Sequence, residues 1–121
     1  MSHVRRDRLK VEFKDRGILF VTLKEFGEVI MGEEAFVTNY LGEEKTKVDM
    51  ALRLKNHRHI QIGFKWNDET KSYEFVGDSF GVWNELKDIQ KEYLKRCYIR
   101  AFRLKGYTIK EQGNQLVGVR V

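Results

Sequence analysis

The sequence predicts an α+β fold: an antiparallel β-sheet of about five to seven strands with two α-helices packed on one face. Three observations carry this expectation. Residues 47–54 and 60–66 alternate apolar and polar side chains, the period of a half-buried strand. Residues 84–105 carry apolar side chains at helical spacing. Residues 107–110 and 116–119 flank Gly113-Asn114, a two-residue hairpin signal.

Taken in chain order, Lys10-Val11-Glu12-Phe13-Lys14 alternates and reads as an opening strand. Leu19, Leu23 and Phe26 then sit at helical spacing, although Ile18-Leu19-Phe20-Val21 would also suit a buried strand. The segment 17–26 is read as a helix, with Gly27 as its C-terminal cap. Further on, Val48, Met50, Leu52 and Leu54 are expected on one face, with Lys47, Asp49 and Arg53 on the other. Ile60, Ile62, Phe64 and Trp66 repeat the pattern, with His59, Gln61 and Lys65 opposite, and Asn56-His57-Arg58 connects the two strands.

The segment from Tyr73 to Trp83 reads as an aromatic strand, a glycine-acid turn and an aromatic anchor before a long helix. Asn84 is placed to cap that helix, Glu85 and Asp88 load its first turns with acid, and Arg100, Arg103 and Lys105 load its end with base. Gly106 stops it. Leu86, Ile89, Tyr93, Cys97, Ala101 and Leu104 form its apolar stripe, and Trp83 is expected in the core, where large aromatics usually lie.

The chain of 121 residues is read as one domain, 1–121, with enough length for an ordinary core. It has one cysteine, no proline, and no apolar run long enough to cross a bilayer. Its opening, Met1-Ser2-His3-Val4-Arg5-Arg6, is charged at once and has no signal-peptide pattern. A cytoplasmic setting is therefore expected, or the plastid stroma or a host cytoplasm if the source is plastid or viral. Residues 1–81 hold 14 basic and 14 acidic side chains, while residues 82–121 hold 9 basic against 4 acidic. The second half thus supplies the whole net charge of +5, a bias compatible with an anionic partner.

In the order of its anchors the chain resembles the small ycf-thirty-five-like family of plastid and cyanobacterial conserved reading frames. The anchors are Met1-Ser2-His3, Ile62-Gly63-Phe64 and Tyr73-Glu74-Phe75-Val76 followed by Asp78. Gly81-Val82, the Gln90 and Tyr93 pair, and Gly106-Tyr107-Thr108 complete them. Where family members tend to carry tryptophans after the acid, this chain has Ser79-Phe80. The resemblance implies an α+β fold and no settled biochemistry.

No nucleophile elbow, phosphate-cradling glycine loop or zinc signature is present, so the chain is read as non-catalytic, with no cofactor or metal. His57 and His59 are read as exposed loop histidines rather than ligands, because a metal needs further donors. Asp78 beside Glu74 is read as a turn device rather than an acid–base pair. The outer side of the sheet, with Lys47, Arg53, His59, Gln61 and Lys65, is expected to be uncovered. Its basic and amide groups suit an anionic, nucleotide-like small molecule, bound by a homodimer that sequesters or senses it. The alternative is an interaction module that docks a protein or a nucleic acid through the basic helix 84–105. Its contacts would be Phe80, Trp83, Lys87, Lys91 and Lys95, and an exposed Trp83 would favour the protein version.

Overall fold

Alternating side chains over the middle of the chain build the sheet, and the order of its strands decides what each face can hold. The computed structural model describes residues 5–7, 12–38, 44–55, 57, 59–77, 82–112 and 115–120. Its elements are β1 (Arg5–Asp7), α1 (Arg16–Lys24), β2 (Gly27–Met31), a 3-10 turn (Gly32–Glu34), β3 (Phe36–Thr38), β4 (Lys45–Lys47), β5 (Met50–Leu54) and β6 (Ile62–Asn67). They continue with β7 (Ser72–Gly77), α2 (Trp83–Leu104), β8 (Tyr107–Gln112) and β9 (Gln115–Arg120). Five strands form an antiparallel sheet in the order β1-β7-β6-β5-β2, beside two separate ribbons, β3-β4 and β8-β9. The expected α+β class and both helices are present.

One face of the sheet carries the main core. Met50, Leu52, Ile62, Phe64 and Phe75 project from it and are buried against Leu19 and Leu23 of α1 and Leu86, Ile89 and Tyr93 of α2. Phe13 fills the middle, edge-on to Phe64 at 5.2 Å and to Tyr93 at 4.8 Å. The Tyr93 hydroxyl accepts the backbone N–H groups of Lys14 (3.0 Å) and Asp15 (2.9 Å), which fixes the chain leading into α1. Asp15 then caps α1 by accepting the Ile18 N–H at 2.9 Å.

The opposite face is covered too, against expectation. The β3-β4 ribbon folds over it and buries Ala35, Val37 and Val48 against Ala51 and Val76. The reason is a break in the alternation. Val48 and Met50 do not share a face, because the chain leaves β4, bends at Asp49 and enters β5, so Val48 joins one core and Met50 the other. Gly63 permits this contact: a Cβ there would stand 2.3 Å from Val37 Cγ2 and 2.8 Å from Val48 Cγ1.

Four smaller expectations need correction. Gly27 is not a C-terminal cap; Glu25 takes that position and Gly27 opens β2, where a Cβ would meet the Arg53 carbonyl oxygen at 2.0 Å. Asn84 does not cap α2, because the helix begins at Trp83 with Val82 at the cap position and no side-chain bond there. The residues 10–14 contribute, among those described, a single bridge from Phe13 to Tyr73. Finally, β6 begins at Ile62, so His59 and Gln61 lie in the connection before it. The hairpin across Gly113-Asn114 is present as β8 and β9, in register from Tyr107–Arg120 to Gln112–Gln115.

Two measurements check this account. Gly63→Ala should cost about 1–3 kcal/mol in urea unfolding, since the ribbon must lift to admit the methyl. Tyr93 should make the protein sensitive to alkali. Burial raises its phenol above the ordinary value, an effect only partly offset by the Asp15 N–H that it accepts. The folded state therefore holds this proton more tightly than the unfolded chain. Stability should be intact below about pH 10 and fall as pH climbs from there through the folded value, with a flatter fall in Tyr93→Phe.

Candidate functional site

The five residues expected on an open sheet face do not converge. Arg53 and Lys65 do lie on the side away from the helices, but the register of β5 and β6 sets them about 13 Å apart along the sheet. Val37 and Val48 sit over Gly63 between them. Arg53 pairs with Glu28 across the β2-β5 edge at 3.6 Å, and Lys65 stands opposite Glu74 in the β6-β7 register. His59 is exposed in the connection, and Gln61 is half-buried beside it. Lys47 belongs to the ribbon, where its ammonium donates to the Gly32 and Val48 carbonyls and lies 5.4 Å from the Phe36 ring centroid.

Lys47 instead borders a cleft of about 430 Å³ at the end of the sheet where β4 bends into β5. Arg16, Asp49, Trp66 and Tyr73 line it as well. Trp66 and Tyr73 meet edge to face at 5.0 Å, and an Asp49 carboxylate oxygen accepts the Trp66 backbone N–H at 2.7 Å. Sequence reading missed Arg16, because nothing local shows that the first residue of α1 reaches the far end of β6 and β7. The signal available was the Trp66-x-x-x-x-x-x-Tyr73 spacing, which pairs the two rings across a four-residue hairpin connection on one face.

The second candidate surface is α2. Its row of Glu92, Arg96 and Arg100 is engaged in structure: Arg96 pairs with Glu25 and, at 3.4 Å, with Glu92, while Arg100 reaches Asp15. These contacts clamp α2 to α1.

The outward face differs. Trp83 is 49% exposed and Tyr98 54%, with Leu94 exposed between them. Core placement of Trp83 is thereby overturned, and the reason is the helix start: Val82, one residue earlier, occupies the buried position and turns Trp83 outward. Trp83, Lys87, Leu94 and Tyr98 stand at i, i+4, i+11 and i+15, which places them along one stripe about 22 Å long. Lys91 flanks it. Lys87 and Lys91 have no ion-pair partner among the described residues. Lys95 is half-buried at the stripe's far margin and already engaged. Phe80, Asp78 and Ser79 lie outside the described residues.

Cys97 is half-buried against the main core. Among the described residues no group of three His, Cys, Asp or Glu side chains is placed to hold a metal ion, and no helix is long and apolar enough to cross a membrane.

No curated protein and no solved structure matches the chain. A family model does, over residues 22–120, which take in everything from the last turn of α1 to the end of β9. The chain belongs to the family described as protein of unknown function, DUF1257.

Proposed function

We propose that this protein is a non-catalytic interaction module that docks an acidic protein partner through the outward stripe of α2. The exposure of Trp83 carries this reading. An aromatic side chain that could have been buried at the helix start is held in water instead, together with Leu94 and Tyr98. Large amphipathic aromatics on a rigid helix are the side chains that dominate protein interfaces. Lys87 and Lys91 beside them favour a partner that brings carboxylates. A second copy is a poorer fit at this stripe, because it would bring Lys87 and Lys91 of both copies to one interface with no carboxylate in the stripe to meet them. Within its family the chain is further read, from Tyr73–Val76, Gly81-Val82 and Gly106–Thr108, as akin to the ycf-thirty-five-like proteins.

The test is affinity capture with the wild-type chain and with Trp83→Ala and Tyr98→Ala, each shown to be folded by circular dichroism. Acidic proteins held by the wild type should be lost from both variants, each substitution costing about 2 kcal/mol or more of binding once a partner is purified. An unchanged set of captured proteins would refute the stripe. Steeply salt-dependent binding of any DNA or RNA, lost in Lys87→Glu, would replace the protein partner with a nucleic acid.

A further inference from the structure

The cleft at the end of the sheet is independent of the α2 stripe, and its unsatisfied groups have a definite chemistry. Lys47 is held in position by two backbone carbonyls and is in no ion pair among the described residues. Arg16, exposed at the start of α1, likewise has no ion-pair partner among them. Two cations thus border one cavity, neither of them in an ion pair among the described residues, while the carboxylates of Glu33 and Asp49 line the same cavity. The rings of Trp66 and Tyr73 line the same cavity from β6 and β7, and both are half-buried, so each keeps part of its ring surface for a ligand.

Hydrogen-bonding groups complete the cleft. The Tyr73 hydroxyl has no hydrogen-bond partner among the described residues, and it lies close enough to Arg16 and Asp49 to feel both charges. Burial is nonetheless the largest influence on it and raises its phenol above the ordinary value, so at neutral pH it is an O–H donor. Asp49 spends one carboxylate oxygen on the Trp66 N–H and keeps the other as an acceptor. The volume of about 430 Å³ is that of a small-ligand site rather than of a single ion.

We propose that this cleft binds a nucleoside monophosphate, its phosphate on Arg16 and Lys47 and its base against Trp66 and Tyr73. Arginine and lysine supply charge-assisted bonds to phosphate oxygens, and aromatic rings take any base by stacking. Asp49, through the carboxylate oxygen that the Trp66 N–H leaves free, discriminates between bases. Guanine offers it adjacent ring and amino N–H donors, whereas the corresponding edge of adenine places an acceptor there. The site therefore selects guanine. Of the residues expected to hold an anionic ligand, only Lys47 takes part; Arg53, His59, Gln61 and Lys65 are not among the residues that line the cleft.

The experiment is calorimetric titration of the full chain with guanosine monophosphate, adenosine monophosphate and inorganic phosphate. It is paired with amide-proton NMR, in which Trp66 and Trp83 supply the two indole N–H signals. The guanine nucleotide should bind at least about tenfold more tightly than the adenine nucleotide, and phosphate alone more weakly than either. Arg16→Gln should weaken both nucleotides by about tenfold or more, while Asp49→Asn should erase the preference between them and leave the adenine nucleotide unchanged. The Trp66 indole signal should move on binding, and the Trp83 signal should not. Lack of heat with either nucleotide up to about 1 mM would overturn the site. So would phosphate binding as tightly as the guanine nucleotide, movement of Trp83 alone, or binding indifferent to Arg16→Gln in a folded variant.

Discussion

At Gly63 a hydrogen atom takes the place of a side chain, and the valines of the β3-β4 ribbon come down onto the sheet. Everything else in the arrangement of surfaces follows from that close approach. With Val37 and Val48 seated there, the sheet is buried on both faces through its middle: helices on one side, ribbon on the other. Among the described residues, a sheet closed in this way keeps no broad polar face for a ligand. Chemistry is confined to its ends and to the outer surface of the helices. The cleft around Lys47 is one such end, and the stripe from Trp83 to Tyr98 is one such outer surface.

The two helices are held by different means, and this matters for what α2 can present. Apolar burial of Leu86, Ile89 and Tyr93 gives the larger share of its attachment, at the general rate of about 25 cal/mol per Å² of apolar surface removed from water. The ion pairs of Arg96 and Arg100 with Glu25 and Asp15 are partly exposed, so they orient α2 on α1 more than they stabilise it. Together they point Leu86 and Tyr93 inward, and the 3.6-residue repeat then leaves Trp83, Leu94 and Tyr98 outward. Rigid attachment lowers the entropy lost when such side chains engage a partner.

The phenol of Tyr93 links this helix to the first. By accepting the N–H groups of Lys14 and Asp15, it sets where α1 begins, hence where Asp15 caps it and where Arg16 projects. The cleft's guanidinium is thus positioned through a residue of the other helix. The same residue that makes the fold sensitive to alkali also makes the cleft's geometry depend on the packing of α2.

The sequence by itself determined the class of the fold, the strands β5 to β7, the long helix with its acidic start and basic end, and the final hairpin. These are local: alternation, a 3.6-residue apolar repeat and turn residues act over a few neighbours, so the chain shows them without its tertiary context. Fold-wide features were decided only by three-dimensional packing. One is that Val48 and Met50 serve different cores across a bend at Asp49. Another is that Gly63 receives a ribbon whose strands are residues 36–38 and 45–47. The rest are Trp83 turned outward by Val82, and Arg16 brought to Lys47, Trp66 and Tyr73. Each depends on segments distant in sequence competing for the same buried volume, and no local pattern records which of them wins.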